Sequence, residues 1–165
     1  DRARYRHVIA VFHHPVFSSG PHGGPIVETQ TEAFRLLYMP LFRKHRVRMI
    51  VAGHDHLLDH FVERYSDASG EHRLDQIVTG GGGAPIYTYR GEPDLKEYLA
   101  AGAADKVRVE HLIRPGPEQA DNPHHFVVVL VDGERLSLEV ITTAATEYLP
   151  YGTKQGELDA VPRSR

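Results

Sequence analysis

Gly53-His54-Asp55-His56 follows directly on the apolar segment 47–52, and His13-His14-Pro15 follows directly on the apolar segment 8–12. Imidazole is the commonest metal-ligating side chain, and two imidazoles two residues apart on a turn can reach neighbouring ions. Glycine ahead of them permits a sharp backbone turn as a strand ends. The chain has no cysteine, so any metal chemistry must use nitrogen and oxygen donors. Disulfide frameworks, thiolate sites and cysteine nucleophiles are excluded, and the redox compartment stays unread. The plain alternative is that histidines beside strand ends only pack or hydrogen-bond to backbone carbonyls. A lone Gly-His-x-His does not decide between the two.

The elements that must deliver these residues are legible. Residues 8–12 form a nearly unbroken apolar run rich in β-branched types, which reads as a strand buried on both faces, as in a parallel sheet. The stretch 15–25 holds Ser18, Ser19, Gly20, Pro21, Gly23 and Gly24. It reads as a mobile or specially shaped loop, leaving the strand where α/β proteins place ligands. Thr31 can cap a helix in which Phe34, Leu37, Tyr38 and Leu41 recur at helical spacing. Pro40 should end that helix near Met39, with a second short helix over 41–46 and a strand over 47–52. A right-handed strand-helix-strand connection makes the two strands neighbours. His13 then lies beside the Gly53 loop, and the imidazoles of His13, His54 and His56 converge.

Further along, strands over 60–65 and 74–79 flank a polar turn at 66–71, and four glycines, Gly80 to Gly83, follow. A helix over 94–101, a strand over 107–113 and a loop over 115–123 carry no assigned function. Asp132-Gly133 between apolar strands 126–131 and 136–141 signals a hairpin. The tail after Tyr148 is polar and should wrap or fray. His60, His72, His111, His124 and His125 match no motif and read as surface or packing residues. The 165 residues suit a single domain over 1–165. The composition, 41% hydrophobic and 25% charged, is that of a globular protein, and no apolar run approaches the roughly 18 residues that cross a bilayer. A net charge of -3 gives no general reason to expect a nucleic acid partner, although Arg2, Arg4 and Arg6 make the start locally basic.

The segments VFHHPVF, LYMPLFRKHRVRMIVAGHDH and IVTGGGGAP, in this order, resemble three successive landmarks of the calcineurin-like metallophosphoesterases, and most of all those of purple acid phosphatase-like enzymes. The likeness covers roughly residues 6–84 and, more loosely, the last hairpin. It implies an α/β fold, the carboxyl-terminal part of a two-sheet α/β sandwich. It also implies hydrolysis of phosphate esters at a dinuclear centre, a metal-bound hydroxide attacking phosphorus, with two transition metal ions drawn from iron, zinc and manganese. By the same resemblance His13 and His54 hold one metal and His56 the other. His22 occupies the place of a substrate-pocket histidine that donates a proton to the leaving oxygen or stabilises its charge. His14 is not a primary ligand in that pattern and should make a packing or outer contact. Asp55 lies between two proposed ligands and could orient an imidazole, but its plainer reading is a solvated or backbone-bonding turn residue; by the resemblance the glycine run is a close approach of backbone to the metal site. Relatives of this kind are often exported, which favours an extracytoplasmic location.

Two-metal phosphoesterases hold their ions about 3.5–4 Å apart, with a bridging carboxylate that this family supplies from Asp-x-His, Gly-Asp and Gly-Asn-His motifs. The sequence contains no Asp-x-His, no Gly-Asp and no Gly-Asn. Either the chain is a piece of a longer enzyme whose amino-terminal half is its missing partner, or it is a half-site protein. The abrupt start at Asp1 and the retention of the carboxyl-terminal landmarks favour the first. The isolated chain should then bind metal weakly and hydrolyse phosphate esters poorly. The competing reading is a non-catalytic metal-binding or interaction module with one structural zinc or none.

Overall fold

The computed structural model describes residues 4–143, and residues 160–164 as backbone. The strands β1 (Ile9–Val11), β2 (Met49–Ala52), β3 (Leu58–Asp67), β4 (Gly70–Thr79) and β5 (Arg108–Ile113) form one sheet in the order β1-β2-β4-β3-β5. β1, β2 and β4 run parallel, and β3 is antiparallel to both its neighbours. A second sheet has the order β6-β7-β8, from β6 (His125–Asp132), β7 (Arg135–Thr142) and β8 (Ala160–Ser164). Among the described residues two α-helices complete the fold, α1 (Thr29–Lys44) and α2 (Lys96–Ala101).

Side-chain alternation divides the large sheet into two buried faces. Ile50, Phe61, Tyr65 and Leu74 pack with Met39 of α1 and Tyr98 of α2. Met49, Leu58, Ile77 and Ile113 pack with Leu136, Leu138 and Val140 of the second sheet. The protein is therefore the expected α/β sandwich, with helices on the outer face of the larger sheet and the predicted hairpin in the second sheet. The hairpin turn is made by Gly133, at φ +58°, and Glu134. Among the described residues no helix is long and apolar enough to cross a membrane.

Two local expectations are corrected. β1 is not buried on both faces: Ile9 is 36% and Val11 75% exposed. They lie in register with Met49 and Val51, on the face that the second sheet covers further in, but among the described residues β1 is the edge strand and that cover does not extend over it. Helix α1 does not stop at Met39. It begins at Thr29 with Glu28 as N-cap instead of Thr31, and runs through Pro40 to Lys44. Its buried residues are Thr31, Arg35, Met39 and Arg43, spaced by four along one face, while Leu37 is 61% and Leu41 45% exposed. Packing of that face holds the helix together across the hydrogen bond that Pro40 cannot donate. The tail after Tyr148 lies outside the described residues as far as 159; residues 160–164 are the strand β8, parallel to β7.

Candidate metal centre

The loops leaving β1 and β2 are fastened side by side. Phe12 N–H donates to the Val51 carbonyl at 3.2 Å, and Gly53 N–H to the His13 carbonyl at 3.0 Å. The sharp turn after β2 is not made by Gly53, where an added Cβ would meet nothing within 4 Å. His54 itself takes the left-handed conformation, at φ +65°, a state in which a non-glycine residue is strained.

That turn brings four imidazoles and a carboxylate together. His54 Nδ1 lies 3.1 Å from His13 Nε2, while His54 Nε2–H donates to Glu28 Oε2 at 3.2 Å. Glu28 Oε1 accepts from His22 Nδ1–H at 2.6 Å. The His54 ring centroid is 5.0 Å from that of His13, 4.2 Å from His14 and 4.4 Å from His22. His13, His14 and His54 form one group, and His22, Glu28 and His54 another, whose ligand atoms lie within 4.8 Å of one another. His56 stands apart from both. Its Nδ1–H donates to the Pro85 carbonyl at 3.0 Å, and its ring stacks on Tyr87 at 4.5 Å. Tyr87 also approaches the His22 ring, at 5.9 Å.

Electrostatics follow from these contacts. Burial works to raise the Glu28 carboxyl, but the hydrogen bonds from His22 and His54 outweigh it and leave the group more acidic than usual. Burial, then the neighbouring His54 and His13, pull the His14 imidazole below its ordinary value, which favours the neutral, metal-competent form. His14 also meets the Phe34 ring at 6.0 Å, so it has the packing contact expected of it as well as a place among the nitrogen donors.

The loop carrying His22 is specially shaped, and its first part is buried: Val16, Phe17, Ser18 and Ser19 have no exposed surface. The buried carboxamide of Gln76 on β4 accepts from Val16 N–H at 2.8 Å and Phe17 N–H at 3.0 Å and donates to the Phe17 carbonyl at 2.5 Å. Arg35 of α1 donates to the Val16 carbonyl at 2.9 Å. Asp55 is not a solvated turn residue. It is fully buried and accepts from Ser18 Oγ–H at 2.5 Å. Burial raises its carboxyl above the usual range, against the pull of that hydrogen bond. Asp59 accepts from Ser19 N–H at 2.7 Å and from Ser19 Oγ–H at 2.8 Å.

Of the glycine run, only Gly80 presses on the ligand loop, where a Cβ would lie 2.2 Å from the Asp55 carbonyl oxygen. Gly81 instead makes room for the His125 ring, and Gly82 and Gly83 approach nothing. Sequence reasoning missed Glu28, Tyr87, Gln76 and the buried state of Asp55. Glu28 offers one signal in hindsight, an acidic residue on a glycine-rich loop at the start of a helix. Nothing in its spacing links it to His54.

No protein-family model matches the chain. Over 115 residues it is 32% identical to purple acid phosphatase 7 of Arabidopsis thaliana, a match that takes in 67% of this chain and 30% of that protein. The chain thus spans under a third of the length of the curated relative it matches. The agreement of this match with the histidine-rich strand-end site supports a metallophosphoesterase-like relationship for the chain.

Proposed function

We propose that the chain supplies the imidazole half of a dinuclear metal centre that hydrolyses phosphate esters. The observation that carries this reading is the pair of nitrogens, His13 Nε2 and His54 Nδ1, 3.1 Å apart with His54 Nε2–H tied to a carboxylate. A carboxylate on the far nitrogen fixes an imidazole's tautomer and turns its other lone pair to a metal. His56 has the same logic with a backbone oxygen: its Nδ1–H is held by Pro85, which leaves Nε2 as donor. An all-nitrogen and oxygen donor set fits iron, zinc or manganese. Two such ions, when bound, supply Lewis acidity and charge neutralisation at phosphorus.

The chain's own residues then divide the remaining work. Glu28 orients His54 and His22 at once. His22, its Nδ1–H engaged, presents Nε2 as the group that holds or gives a proton at the leaving oxygen. Tyr87 closes the side of the site between His56 and His22. The carboxylates come from an amino-terminal half outside this chain. The outer edge of β1 is unpaired among the described residues. It borders an apolar hollow of about 340 Å³ lined by Ala10, Val11, Phe12, Phe34, Tyr38 and Phe42, a surface suited to a further strand and its side chains.

The grouping of His14 with His13 and His54 favours a second reading, one closed structural zinc. Metal analysis and a chromogenic phosphomonoester assay, on this chain and on a version extended upstream, separate the two. The dinuclear reading expects two ions and phosphate-inhibited hydrolysis in the extended protein, and weak binding and little activity in the chain. Equal, strong activity in both would remove the missing half. A single tightly held ion that is indifferent to phosphate and needed for folding would establish the structural zinc.

A further inference from the structure

Two loops carry the site, and the residues joining them are neither proposed ligands nor solvent-facing. Ser18 and Ser19 are consecutive, fully buried, and bonded to carboxylates that project from the other loop and strand: Ser18 Oγ–H to Asp55 Oδ2 at 2.5 Å, Ser19 Oγ–H to Asp59 Oδ1 at 2.8 Å. Ser18 Oγ in turn accepts from Gly20 N–H at 3.1 Å, and His22 N–H points to Asp55 Oδ1 at 3.4 Å. Between them Gly20 lies so close that a Cβ would sit 2.7 Å from Asp55 Cγ and 2.7 Å from a Leu57 methyl. His22 ends the stapled stretch, and its Nε2 is 3.9 Å from Asp55 Oδ1. A buried carboxylate is costly unless hydrogen-bonded. One flanked by two half-buried histidines in a turn has a use that a serine or alanine there would not serve.

We propose that Asp55 is a positioning residue for His22: it docks the 18–22 loop onto the loop of His54 and His56 and so sets the approach of the His22 and His54 rings. The proposal rests on the reading that His22 serves the phosphoryl group, but the docking itself needs neither metal nor substrate. A carboxylate at this place does what a backbone contact could not. It accepts a hydroxyl and an amide from the same facing loop at once, so the two loops move as a unit. Asp59, four residues on in β3 and facing the same side of it as Phe61, holds Ser19 in parallel and keeps the loop from pivoting about the Ser18 bond.

The test is imidazole nuclear magnetic resonance on the full, metal-free chain, reading the cross-peak between the His22 and His54 rings, with His60 as reporter of the fold because it is buried and bonded to Asp75 at 2.7 Å. In Asp55→Ala and in Ser18→Ala the cross-peak is lost while the His60 resonance stays in place. Asp55→Asn, which keeps one oxygen for the Ser18 hydroxyl but turns an amide NH2 towards His22 N–H, weakens it. An unchanged cross-peak in Ser18→Ala overturns the proposal. So does loss of the His60 resonance together with the cross-peak, which would make these residues props of the fold as a whole. Failure of metal binding or hydrolysis with the cross-peak behaving as stated would instead strike the functional reading and leave the docking intact.

Discussion

Two of the regions in which histidines sit beside carboxylates use them in opposite ways. In the middle of the large sheet, His60 donates to Asp75, which also receives Arg73 at 2.6 Å and an ion pair from Arg48. A strand away, His111 donates to Asp59 at 2.9 Å and to Glu92 at 3.0 Å, with its ring stacked on Phe61 at 3.9 Å. These imidazoles are enclosed and their partners are fixed. At the strand ends His22 and His54 share one carboxylate, Glu28, while His54 turns its other nitrogen to His13 and its ring lies against that of His14. Mid-strand side chains have fixed neighbours on both flanks and become structure, whereas loop residues at a strand end face a common open volume and can hold something that is not protein.

The largest expected effect lies in the first region. Burial would raise Asp75, yet hydrogen bonds from His60 and Arg73 hold it well below the carboxylate range. Asp75→Ala leaves those partners buried without it and should cost about 3–5 kcal/mol in urea unfolding. Zn²⁺ affinity should remain that of the parent among molecules still folded. In the second region His54→Ala should reverse the pattern. Calorimetric titration would show Zn²⁺ binding lost by more than about 100-fold, the upper range for an outer-shell partner, with the unfolding midpoint scarcely moved. If His54→Ala binds as the parent does, the distinction between the regions fails. Glu28→Gln comes next, with an affinity loss of about 10–100-fold, because it keeps the shape and removes the charge that orients His54.

His111 sharpens the comparison through pH. Burial would lower its pKa, but Asp59 and Glu92 outweigh that and raise it, while Glu92 is held at about 2. A raised imidazole stabilises the fold fully below its unfolded value of 6.5 and loses that contribution as pH climbs through the folded value. A depressed carboxylate contributes above its unfolded value of 4.5 and loses it as pH falls towards about 2. His111→Gln should therefore cost about 1–3 kcal/mol between those values, near pH 6, and less near pH 9. A cost independent of pH would mean that this imidazole carries no charge. The smallest effect belongs to the surface: Arg108→Ala, which breaks a bridge to Glu71 between exposed side chains, should change stability by no more than about 0.5 kcal/mol.

Much of the fold was legible because its signals are local. Asp132-Gly133 announced the hairpin, and the apolar runs announced β2, β3 and β4. Where the reading failed, a distant surface had intervened. Pro40 looked like a helix end, but Met39 and Arg43 are buried on one face of α1 and carry the helix past it. The run 8–12 looked like a central strand because apolar composition does not say how far the second sheet extends. Asp55 looked exposed because nothing in a turn sequence shows that Ser18 will arrive opposite it.

The sequence by itself determined which residue types stand at the two strand ends and that a helix links those strands, since periodicity and turn chemistry act over a few residues. Only the tertiary structure decided that His54 faces His13 with one nitrogen and Glu28 with the other, that His56 turns to Pro85, and that Asp55 is buried. Those outcomes depend on contacts between residues more than twenty positions apart, set by how sheet, helix and loops pack, and no local pattern encodes them.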